Sequence, residues 1–130
     1  MATQIADAVK AFQQRSTGHL PKAVTVVLSD DTLVITLLDA LTPAEKLLAE
    51  SADGAMKVQE FHRQLFNSAE SELRKEIRKI TGVEVREAAV EIETKTGAVV
   101  HAFTSGSMVH VFRLESGISA DVWNKPGNTS

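Results

Sequence analysis

Glu45, Lys46, Glu91 and His101 are the side chains best suited to chemistry in this chain: two carboxylates, an ammonium and an imidazole. Gathered in one pocket they would bind a small ligand or form the site of a small enzyme. Their separation in sequence leaves that convergence to the fold. A second set, Arg74, Lys75, Arg78 and Lys79, puts two basic pairs beside Glu72 and Glu76. Such a patch suits acidic lipid headgroups or the acidic loop of a partner protein.

Each set also has a plainer use. Glu45 follows Thr42-Pro43 by the spacing of a capping box, in which Thr42 accepts from the Glu45 amide and Glu45 reaches back to Thr42. In the first turn its charge also faces the positive end of the helix dipole, which is worth about 0.3 to 1 kcal/mol at an exposed site. The basic pairs fall near the C-terminal end of a long helical stretch, where they complement the dipole and can pair at i, i+4, as Glu70 can with Arg74. His19, His62, His101 and His110 have neither the i, i+4 pair nor the clustering of a helical zinc site. His101 and His110 fall in expected strands and read as histidines satisfied by hydrogen bonds or solvent, and His62 sits at the boundary of an apolar stripe. Asp30, Asp31 and Asp39 lack the ligand spacing of a calcium loop, and no phosphate-cradling glycine pattern is present. No cofactor is implied.

The elements that must position these groups are legible from periodicity. Ile5, Val9 and Phe12 predict an amphipathic helix over 3–16, stopped by Gly18. "AVTVVLS" and "DTLVITLL" predict a hairpin around Ser29-Asp30-Asp31. Both faces of the second strand are apolar, which predicts cover on both sides or a place at the sheet centre. A short helix starts at Thr42. A second, longer one is expected with Asp53 as its cap and Phe61, Leu65, Ala69, Leu73, Ile77 and Ile80 as its stripe, ending at Thr81-Gly82.

After Gly82 the alternation of Val83 and Val85 resumes on the opposite parity at Ala88, Val90 and Ile92, which predicts a β-bulge near Arg86-Glu87. Thr94-Lys95-Thr96-Gly97 is expected to turn the chain into a returning strand "AVVHAFT". The order α-β-β-α-α-β-β predicts an α+β fold, with an antiparallel sheet of at least four strands in two hairpins and helices packed on it. Residues 1–104 read as one domain. Residues 105–130 read as an extension in which "MVHVFRLE" is an extra strand and the rest, with Trp123, a flexible tail.

At 130 residues the chain is long enough to bury a core without staples, and it contains no cysteine. Its net charge of −3 provides no general footing for nucleic acid. The N-terminus lacks a signal-peptide pattern and no apolar run reaches the roughly 18 residues of a span, so a soluble, cytoplasmic protein is expected.

"GHLPKAVTVVLSDDTLVITLLDALTPAEKLLAE", "ITGVEV" and "EIETKTGAVVHAFT" together resemble a family of small bacterial proteins. That family, long catalogued as a domain of unknown function, is associated with the MpsC component of a sodium-translocating, membrane-potential-generating system. The resemblance covers roughly residues 3–104, with Leu-Thr-Pro-Ala-Glu-Lys at 41–46 and Thr-Lys-Thr-Gly at 94–97 as its sharpest pieces; at Leu20 the chain departs from a more compact Gly-x-Gly-Pro turn. It supplies no catalytic residue. It implies an accessory to ion or bicarbonate-linked transport, since a chain without a membrane span is not the conduit. The reading is thus a non-enzymatic cytoplasmic accessory or regulatory module, whose partners are a membrane transport protein or a second copy of itself. The alternative is a small-molecule sensor or small enzyme with a pocket near His101.

Overall fold

A computed structural model describes residues 1–93 and 107–124, with the backbone alone for 89–93 and 107. The element order is α1 (Ala2–Thr17), β1 (Ala23–Ser29), β2 (Thr32–Leu38), α2 (Pro43–Leu48), α3 (Ala52–Thr81), β3 (Val85–Glu93), β4 (Ser107–Leu114) and α4 (Ala120–Trp123). The strands form one antiparallel sheet in the order β1-β2-β4-β3. The fold is therefore α+β, as the hairpin-and-helix pattern requires.

Alternation places the core on one face of the sheet. Leu33, Ile35 and Leu37 of β2 stand opposite Phe112, His110 and Met108 of β4, and all six are buried. Ile5, Val9 and Phe12 of α1 and Phe66, Ala69, Leu73 and Ile77 of α3 close over them. The other face carries Val34, Thr36, Val109 and Val111, which are half-buried. β2 is thus at the sheet centre, flanked by β1 and β4, with the helices on one side.

Three expectations need correction. Ser51, not Asp53, caps α3: its hydroxyl accepts from the Gly54 amide at 3.0 Å, and Asp53 pairs instead with Lys57 at 3.2 Å. The stripe in the first half of α3 is Val58, His62 and Phe66, which leaves Phe61 47% exposed and Leu65 only half-buried. A run of i+4 steps drifts about 40° per step around a helix of 3.6 residues per turn. The i+3 step from Phe66 to Ala69 returns the stripe to the sheet.

The third correction concerns the C-terminal segment. Thr94–Gly97 and "AVVHAFT" lie outside the described residues, and the strand that pairs with β3 is Ser107–Leu114. It is inserted between β2 and β3, in the middle of the sheet and not appended to it. The register shift between Val85 and Glu87 is the expected bulge. Trp123, expected in a loose tail, packs on the core from α4, and its carbonyl accepts from the Met1 ammonium at 3.3 Å.

Candidate functional site

The elbow between α2 and α3 brings the densest polar chemistry together. The Thr42 amide donates to Glu45 Oε1 at 2.9 Å and the Glu45 amide to Thr42 Oγ1 at 3.2 Å, which completes the capping box. Glu45 Oε2 then meets His62 Nε2 at 2.5 Å, from the first turn of α2 to the buried stripe of α3. Burial would raise the Glu45 pKa, but the hydrogen bond from His62 and that from the Thr42 amide prevail, and the carboxyl is held below its ordinary value. His62 is 1% exposed and Glu45 13%. Both side chains are enclosed, and the bond between them fastens α2 to α3.

Gly54 makes the elbow possible. A Cβ there would stand 1.8 Å from the Leu48 carbonyl oxygen, so only glycine lets α2 end against the first turn of α3.

Further inside, His110 packs on Phe66 with ring centroids 4.8 Å apart, and Phe112 stands edge-on to it. Burial first, and the nearby His62 second, push its pKa down to about 3, so it is neutral. Its Nδ1 has no hydrogen-bond partner among the described residues, nor does Gln13 Nε2 of α1. The expectation of a satisfied strand histidine therefore fails at that nitrogen. The sheet pairing that buries the position sets the ring among apolar groups.

The anticipated pocket is not assembled from its described members. Glu45 turns to His62, whereas Lys46 turns outward to an ion pair with Asp39. Glu91 lies on β3 opposite Val109, and His101 is outside the described residues. The signal that could have found His62 was its place four residues after Val58 and four before Phe66. Its partner at Glu45 left no local signal.

The basic set divides in two. Arg74 donates to Glu70 at 3.0 Å and to the Val85 carbonyl at 2.9 Å, and Arg78 meets Glu84 at 2.5 Å, so both tie α3 to the start of β3. Lys75 and Lys79, one turn apart and exposed, form no ion pair among the described residues. Beside them an open groove is lined by Asn67, Glu70, Ser71, Arg74, Lys75, Arg78 and Glu84. No group of three or more metal-ligating side chains stands together among the described residues. No described helix is long and apolar enough to cross a membrane.

Among known proteins the chain is similar to the uncharacterized protein YbcI of Bacillus subtilis (strain 168), at 25% identity over 101 residues, 78% of this chain and 82% of that one. No solved structure matches it. The pattern of the family described as "Na+-translocating membrane potential-generating system (MpsC)" matches residues 1–107, from α1 to the start of β4, and the chain therefore belongs to the MpsC family.

Proposed function

We propose that this protein is a non-enzymatic accessory or regulatory module that acts on a membrane protein of a sodium-translocating, membrane-potential-generating system, with Lys75 and Lys79 as its contact. Family membership supplies the setting. The observation that carries the surface is the contrast along α3, where Arg74 and Arg78 are held by Glu70, Val85 and Glu84 while Lys75 and Lys79 remain exposed and unpaired among the described residues. Exposed cations at a helix C-terminal end steer an acidic partner and set binding rates more than fold stability.

Affinity purification from membranes tests this. Lys75→Glu/Lys79→Glu should melt as the native protein does yet lose the membrane partner, and retention of the partner at native yield would reject the surface. Binding of the native protein to protein-free vesicles rich in acidic lipid, with equal loss in the variant, would reassign the contact to the lipid.

A further inference from the structure

We propose that the place between β2 and β3 accepts either of two strands of this chain, β4 or residues 98–104, and that exchange of the first for the second releases the C-terminal segment with Trp123. This conformational device is independent of the surface on α3.

The pattern of β4 occurs twice in the sequence. Val99-Val100-His101-Ala102-Phe103 precedes Met108-Val109-His110-Val111-Phe112 by nine residues, with Val, His and Phe identical at the second, third and fifth places and apolar residues at the other two. In β4 those places have distinct duties: Met108, His110 and Phe112 are buried under the helices, and Val109 and Val111 are half-buried on the far face. Histidine is the telling member, because a ring with an unpartnered buried nitrogen is an unusual core residue. Its recurrence at the same place sets the first copy apart from any other alternating run.

The turn fits as well. β3 ends with Glu93 opposite Ser107, so residues 94–106 join the two strands. The same register moved back by nine sets Glu93 opposite Ala98 and leaves Thr94-Lys95-Thr96-Gly97 as a four-residue hairpin loop, a common length that costs less closure entropy. The family pattern, too, contains the first copy and stops at Ser107, where the second begins. Against these stand the contacts that β4 alone makes: Leu114 is wholly buried where the first copy offers Ser105, and Arg113 meets Asp31 at 3.1 Å where the first copy offers Thr104. Only residues 115–119 separate β4 from α4, so loss of β4 from the sheet draws Trp123 off the core and off its bond with Met1.

Disulfide trapping in the full chain tests the exchange. The Leu114 amide donates to the Asp31 carbonyl, and alternation from there makes Thr36 and Val109 a non-hydrogen-bonded pair, where side chains approach most closely. After exchange Val100 stands opposite Thr36. Since the chain has no cysteine, Thr36→Cys/Val109→Cys in oxidised glutathione should lock β4 in place, and Thr36→Cys/Val100→Cys should lock the exchanged sheet. Thr36→Cys/Val99→Cys, one residue away on the opposite face, should stay reduced. Trp123 is the single tryptophan, and its emission should become that of an exposed indole in the Thr36/Val100 disulfide and stay native in the Thr36/Val109 disulfide. Adding Ser105→Leu supplies the apolar residue that the first copy lacks and should speed oxidation of the Thr36/Val100 pair about tenfold. Failure of that pair to oxidise, equal oxidation of the Thr36/Val99 pair, or native Trp123 emission in the locked exchanged form would each overturn the proposal.

Discussion

His110 and Glu45 respond to acid in different windows. The pKa of His110 is pushed down to about 3 in the fold, so the unfolded chain takes up a proton below about 6.5 that the folded chain refuses. The unfolded state then binds more protons, and stability present at neutral pH is lost as pH falls from about 6.5 toward 3, by at most about 1.4 kcal/mol per unit. His110→Phe should flatten this limb in urea melts between pH 4 and 7. At pH 7 it should also gain about 1 to 3 kcal/mol by removing an unpaired buried nitrogen, provided the larger ring is accommodated. Glu45, with its pKa lowered, contributes above its ordinary value of 4.5 and loses that contribution as pH falls through its folded pKa. Glu45→Gln keeps the capping geometry but not the charge, so it should remove the lower window and leave the upper one. A thermal-unfolding series across pH separates the two.

Between elements, the α2–α3 elbow depends on contacts that tolerate little change. Gly54→Ala forces a methyl group onto the Leu48 carbonyl and should cost about 1 to 3 kcal/mol, measured by chemical denaturation. Ser51→Ala should cost about 1 kcal/mol as a lost cap, and Asp53→Ala only a few tenths, because its ion pair with Lys57 is exposed. The reverse order would return the cap to Asp53. Arg74 is a strut of another kind, joining α3 to β3 through the Val85 carbonyl.

For the whole molecule, the position of β4 decides how much of the chain the fold needs. Met108, Phe112 and Leu114 are wholly buried and β4 is paired on both sides. A chain ending at Glu93 would leave β2 and β3 as open edges and uncover the core under α1 and α3. It should lose cooperative unfolding by circular dichroism, whereas a chain ending at Asn124 should retain it. A folded 1–93 fragment would show that a strand in that place is dispensable.

Local rules reached the capping box at Thr42-Pro43-Ala44-Glu45, the Asp30-Asp31 hairpin, the left-handed stop at Gly18 and the bulge after Val85. Each depends on groups a few residues apart, whose geometry the adjacent backbone dictates. They could not reach the Glu45–His62 bond, the division of the basic set into struts and exposed lysines, or the insertion of β4 between β2 and β3. Those join positions far apart in sequence, and an alternating strand such as "MVHVFRLE" carries the same pattern at an edge as in the middle of a sheet. Tertiary packing decided them, because the apolar side of β4 could be buried only where α1 and α3 already covered the sheet.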